Sequence, residues 1–171
     1  MEEMDLYDID RIKTSDLYFR GGKLAKDRYF VIVHLCIFND KNQMLIQQRE
    51  DTGAFGGLWD LSCGGASKKG ESSREAIERE TLEELGLNLD FTGLRPIITA
   101  NFDKGFDDIY IIRKNLSLND LVLEESEVKD VSWADLDTVL GLLKDKKFMA
   151  YKESFIRLLF DLDLDMRIME I

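Results

Sequence analysis

The sequence is poor in the residues that build many catalytic and structural centres, with one histidine, one proline and two cysteines among 171 residues. A metal site of several histidines is therefore excluded, and a Ser-His-Asp triad would have to be built on His34 alone. His34 lies within a β-branched run and reads as a satisfied side chain inside a strand. Cys36 and Cys63 have neither the number nor the spacing of a disulfide framework or a zinc site. No apolar run approaches the roughly 18 residues of a membrane-spanning helix, and no signal-peptide pattern opens the chain. The expectation is a cytoplasmic protein that stays off the membrane.

Positive charge is also in deficit: 23 Lys and Arg face 34 Asp and Glu, a formal net charge of -11. An acidic surface of this kind does not adhere broadly to long nucleic acid or anionic lipid. It still admits a small phosphorylated substrate, because a bound divalent cation reverses the field locally. The hydrophobic fraction of 44% suits a folded core rather than disorder. With no repeat, low-complexity tract or linker, and Pro96 as the lone proline, residues 1–171 read as a single domain.

The pattern along the chain predicts a mixed sheet with segregated helices, an α/β sandwich of the α+β kind. Residues 1–29 read as a lead-in, with a hairpin from Met4–Ile9 and Leu17–Arg20. Phe30–Phe38 and Met44–Gln48 read as strands joined by the polar turn at 39–42, and Gly53, Gly56 and Gly57 mark a loop ending in Trp59-Asp60-Leu61. Further strands are expected at Gly93–Ala100, Asp108–Arg113 and Val128–Ser132, and helices at Ala134–Leu143 and Ala150–Phe160. In the last helix Phe155, Leu158 and Leu159 offer an apolar stripe. The clearest helix spans 72–85: Ser72 caps it with Glu75 three residues on, and Gly86 supplies the left-handed stop. Ile77, Thr81, Leu82 and Leu85 are expected to anchor it to the sheet, while Ala76 leaves room for a ligand.

On that helix Glu80, Glu83 and Glu84 stand at i, i+3 and i+4, so their carboxylates crowd one arc near the C-terminal end, where the helix dipole disfavours negative charge. Only Glu83 has a base, Arg79, among its helical neighbours. A solvated acidic face is the plain alternative, costing a few tenths of a kcal/mol per unpaired acid. Oxygen ligands without imidazole or thiolate select Mg²⁺ or Mn²⁺ over zinc or copper.

Gly65, Glu71, Arg79, Glu80, Glu83, Glu84 and Gly86 hold every fixed position of G-x5-E-x7-R-E-U-x-E-E-x-G-U, where U is a bulky aliphatic residue. The stretch 65–87 thus closely resembles the Nudix box; Leu87 fills the last aliphatic position, and Thr81 is the one departure. The resemblance implies a Nudix-type α/β/α sandwich in which a loop-helix-loop carries the catalytic acids. It further implies that Glu84 is the principal metal ligand and that Glu80 and Glu83 complete the site. Arg79 would brace the carboxylates, Glu71 would hold the loop, and the Gly64 carbonyl would be a further ligand. In some members the glutamate corresponding to Glu80 is the general base. A carboxylate from outside the box is often added, with Asp107, Asp108, Glu124, Glu125 and Glu127 as candidates. For the substrate, Arg49, Lys68 and Lys69 are candidates to meet phosphate, and Phe55, Phe102, Phe106 and Tyr110 to stack a base. The implied activity is Mg²⁺-dependent hydrolysis of a phosphoanhydride in a nucleotide-like molecule, by an enzyme that leaves room for a homodimer.

The phrases His34–Asn39, Gln47-Gln48-Arg49 and Leu58-Trp59-Asp60 are similar to the branch nearest isopentenyl-diphosphate isomerase. Gly64 stands where that isomerase has its catalytic cysteine and Ala66 where it has a metal-binding histidine, while Cys63 is one residue off and points to the other face of a strand. Hydrolysis is the first reading; isomerisation and nucleotide binding without turnover are the rivals.

Overall fold

Nine residues without an acid, lysine or arginine, Phe30–Phe38, form the central strand β3. The structure is a computed structural model that describes residues 2–53 and 55–162. Before β3, β1 (Glu3–Tyr7) and β2 (Lys13–Phe19) make an antiparallel hairpin of their own. It meets the central strand through a bridge between Tyr7 and Tyr29. β4 (Met44–Arg49), β5 (Trp59–Asp60), β6 (Cys63–Ala66), β7 (Ile98–Phe102), β8 (Gly105–Arg113) and β9 (Val128–Ala134) join β3 in a mixed sheet. Its path runs β5-β4-β3-β8-β7, with β6 paired to β3 and β9 paired to β4. β3 and β8 are parallel along their whole length, from Phe30 opposite Gly105 to Phe38 opposite Arg113.

Strand alternation then sorts the apolar side chains onto two faces. Val31, Val33, Leu35, Ile37 and Leu45 pack with Ala76, Ile77 and Leu85 of helix α1 (Ser73–Leu85). Cys36, Phe38, Met44, Ile46, Ile109 and Ile111 pack with Val139 of α2 (Leu136–Lys144) and with Ile156, Leu159 and Phe160 of α3 (Glu153–Asp161). The product is an α/β/α sandwich, as the residue pattern predicts.

Differences from the pattern have local causes. The strand expected from Gly93 begins only at Ile98, because Gly93 takes a left-handed turn at φ 80 and Pro96 has no N–H for a ladder. α2 starts later than Ala134, since Ala134 still pairs with Met44 and the Asp135 side chain caps the helix at Thr138 N, 2.9 Å away. α3 begins at Glu153 rather than Ala150, and Leu158 of the expected stripe is 40% exposed while Ile156 and Phe160 take the buried positions. β5 and β6 have no signature of their own, being short and, in β6, half glycine. On α1, Leu82 is 52% exposed and anchors nothing; Ala76 is fully buried in the core and leaves no room for a ligand.

Candidate active site

α1 is fixed at both ends before any site residue is considered. Ser72 and Glu75 form the reciprocal capping box, and Gly86 closes the helix at φ 68 with its N–H bonded to Leu82 O. Ala76, Ile77, Thr81 and Leu85 then bury one side, which turns Glu80 and Glu84 toward β6 and leaves Glu83 at the rim. Two glycines receive the acids. Gly64 N–H donates to Glu84 Oε2 at 3.1 Å, and a Cβ on Gly65 would lie 2.1 Å from Glu80 Oε1.

Arg79 organises this end of the helix. Its guanidinium donates to Glu71 Oε1 and Oε2 at 2.7 and 3.0 Å, to Glu80 Oε1 at 2.8 Å, to Glu83 Oε2 at 2.9 Å and to the Ala66 carbonyl at 2.9 Å. Lys68 adds its backbone N–H to Glu71 at 2.8 Å and its ammonium to Glu83 at 3.5 Å. Glu80 is therefore paired, which counting i±3 and i±4 neighbours misses: its cation is the adjacent residue, whose long side chain folds back over the turn. Glu84 is different. It is 4% exposed, its recorded bonds come from the neutral Gly64 N–H and Gln47 Nε2, both at 3.1 Å, and no base pairs with it among the described residues.

Charge states follow from these surroundings. Burial, and next the Glu80 charge, push the Glu84 carboxyl up to about 8 despite the bonds from Gly64 and Gln47. Burial also raises Glu80, with Arg79 opposing and Glu83 and Glu127 adding to it. Burial works against ionising Glu71 too, but Arg79 and the Lys68 N–H hold it below the usual carboxylate range.

Among the expected outer carboxylates, the charge of Glu127 reaches both Glu80 and Glu84. Asp107 accepts from His34 Nδ1 at 2.8 Å. Burial disfavours the His34 cation, yet Asp107, Asp60 and Glu84 together raise it to about 9. Asp108 is engaged elsewhere, by Arg11 and by Thr99 Oγ1 at 2.6 Å. Glu124 spends its side chain on Ser126 and reaches Glu84 only through its backbone N–H, 3.2 Å from Glu84 O. Glu125 is exposed, with no hydrogen bond recorded among the described residues.

A cleft of about 850 Å³ opens beside the box. Gly64, Gly65, Ala66, His34 and Asp107 line it, with Phe30, Phe55, Phe102 and Tyr151 as aromatic walls and Arg20, Arg49, Lys104 and Lys152 as cations. Of the substrate candidates, Arg49, Phe55 and Phe102 are thus brought together. Phe106 and Tyr110 are not: both are buried on the α1 side, Phe106 under Arg11 and Tyr110 bonded to Ser73 at 2.8 Å. Lys68 belongs to the carboxylate network rather than to the cleft, and Lys69 is tied to Glu3 at 2.9 Å. The pattern missed the hairpin's contribution of Met4, Tyr18 and Arg20, which no local signal marks as near the box.

These carboxylates suit a hard cation: they are oxygen donors, Gly65 leaves the space that the Glu80 carboxyl takes, and the buried Gln47 Oε1 beside Glu84 lacks a hydrogen-bond partner among the described residues. Among the described residues, no three acid, imidazole or thiol groups already converge as ligands, because Arg79 holds Glu80 and Glu83.

The NUDIX domain family model matches residues 28–159. The chain belongs to the Nudix hydrolase family. It is thus a hydrolase of the pyrophosphohydrolase class. It is 41% identical over 163 residues to a Nudix hydrolase of Listeria innocua, with 95% of each chain covered. To the nucleoside triphosphatase NudI of an Enterobacter species it is 33% identical over 122 residues, covering 66% of this chain and 86% of that one. The Deinococcus radiodurans protein DR0079 shares the fold at a TM-score of 0.73 and 21% identity, covering 92% of this chain and 98% of that one. Within the described residues, no helix is long and apolar enough to cross a membrane.

Proposed function

We propose that this Nudix hydrolase cleaves a phosphoanhydride bond in a small nucleotide-like substrate, using water activated at a Mg²⁺ or Mn²⁺ site. The site residues are Glu80, Glu83 and Glu84, the Gly64 carbonyl, and Glu127 as the outer carboxylate. The observation that carries this reading is Glu84, a buried acid that no base pairs with among the described residues, beside a cleft lined by Arg20, Arg49, Lys104 and Lys152 in an acidic protein. A bound divalent cation would polarise phosphoryl oxygens, bring water to hydroxide-like reactivity and offset charge on the leaving phosphate. The chain's own residues position and neutralise, which is most of the work in phosphoryl transfer. Arg79 presents Glu80 and Glu83 and ties the 66–71 loop to the helix. Arg49, Arg20, Lys104 and Lys152 meet phosphate charge, and Phe30, Phe55 and Phe102 face the organic part. NudI is by name a nucleoside triphosphatase, and nucleoside phosphates are the class we carry over.

We further read the 1–171 chain as one cytoplasmic domain near the isomerase-like branch, without isomerase activity. Gly64 and Ala66 replace the residues that activity needs, and Cys63 is 1% exposed and packed toward Thr81, away from the cleft. Pure nucleotide binding does not require Glu80, Glu83, Glu84 and Arg79 together.

Incubation with nucleoside di- and triphosphates and diphosphate-linked nucleosides, with Mg²⁺ or with chelator, tests the proposal. Metal-dependent release of nucleoside monophosphate or phosphate is expected. Conversion of isopentenyl diphosphate to its allylic isomer, with no nucleotide hydrolysed, would overturn it.

A further inference from the structure

Gln47 lies on β4 two residues after Leu45, so the two share a strand face, and that face is the one packed against α1. A glutamine is an unusual choice there. The residue is 3% exposed, its Nε2 donates to Glu84 Oε2 at 3.1 Å, and its Oε1 is buried without a hydrogen-bond partner among the described residues. Folded proteins rarely leave such an oxygen unpaired, because the lost hydration is not returned. Turning the amide over leaves one buried polar atom unpaired in either pose, and a Glu84 ionised to hold a cation accepts only the pose in which Nε2 faces it. That pose leaves the amide oxygen unspent, next to the acid the proposed function assigns to the cation.

We propose that Gln47 belongs to the cation site, with Nε2 holding Glu84 and Oε1 accepting a hydrogen bond from a water bound to the divalent cation. Gln47 is a positioning residue, and this role depends on the cation site proposed above. Its chemistry suits the task. A neutral amide orients a carboxylate and a bound water at once without adding charge, whereas a further carboxylate would repel Glu80 and Glu84 whenever the cation leaves.

Mn²⁺ titration of the full chain, followed by electron paramagnetic resonance or calorimetry without substrate, tests this. Gln47→Leu keeps the approximate volume and removes both polar atoms. It is expected to weaken Mn²⁺ binding by about 10- to 100-fold, the usual effect of losing a partner behind a ligand. The metal-free melting temperature should stay level or rise, since the unpaired oxygen is gone. Gln47→Glu keeps the acceptor and is expected to bind Mn²⁺ at least as tightly as wild type while melting lower without metal. Wild-type Mn²⁺ affinity in Gln47→Leu would overturn the role of Gln47 and leave the proposed function standing. If Gln47→Leu does not fold, wild-type Mn²⁺ affinity in Gln47→Met, which also lacks both polar atoms, overturns it instead. No Mn²⁺ binding by the wild-type chain overturns both.

Discussion

Gly65 and Glu80 occupy one space: a single methyl group on Gly65 would sit 2.1 Å from Glu80 Oε1 and 2.4 Å from its carboxyl carbon. The Glu80 carboxylate cannot simply swing aside, because Arg79 holds the same oxygen at 2.8 Å. Gly65→Ala must therefore move a site acid and disturb the guanidinium network with it. Turnover is expected to fall at least ~10-fold, by the sensitivity of such sites to displacements of about 1 Å. The melting temperature should change far less than turnover. Steady-state kinetics and thermal unfolding of the same preparation check this, and wild-type turnover would show that Glu80 is not needed where it stands.

Glu84→Gln keeps the shape of the side chain and its place beside Gly64 and Gln47. Activity should drop by more than the ~100-fold that loss of an outer-shell partner costs. The fold should survive, as circular dichroism would report. Undiminished hydrolysis of the best substrate would dismiss Glu84 as the principal ligand.

Metal-free stability should depend on pH in a direction set by Glu84. Its folded carboxyl titrates near 8, raised from 4.5, so between those values the unfolded chain has lost a proton that the folded chain keeps. Stability then declines as pH climbs from about 4.5 to 8, by an amount on the order of a few kcal/mol. His34, raised to about 9 from 6.5, acts in the same sense over its own interval. Subtracting the Glu84→Gln curve isolates the Glu84 share, and Mg²⁺ should flatten the wild-type slope. Identical slopes for wild type and Glu84→Gln, measured by denaturant unfolding in chelator, would refute the assignment.

Arg79→Lys should not rescue Arg79→Ala. The guanidinium serves Glu71, Glu80, Glu83 and the Ala66 carbonyl together, and a lysine ammonium has neither the fork nor enough donors for that set. Both variants should lose several kcal/mol of stability, toward the ~3–5 kcal/mol seen when one partner of a buried ion pair is removed. High Mg²⁺ should recover part of the loss by taking over the stranded carboxylates. Denaturant midpoints with and without Mg²⁺ give the answer.

The sequence by itself determined the parts whose cause is local. Ser72 with Glu75 and Gly86 set the ends of α1, the uncharged β-branched run set β3, and the spacing of Glu80, Glu83 and Glu84 put three acids on one arc. These follow from backbone periodicity and capping, which neighbours along the chain decide. Tertiary structure decided the pairing of those acids and the surroundings of the cleft. Arg79 reaches Glu71 across the loop, Gln47 on β4 meets Glu84 on α1 from 37 positions away, and the hairpin brings Tyr18 and Arg20 to the cleft that Gly64 lines. Phe106 and Asp108 went to the opposite face from Asp107 by strand alternation, a choice fixed only when β8 docked in register beside β3. Burial completed the division, since the raised Glu84 carboxyl arises from water excluded by packing, which no spacing along the chain records.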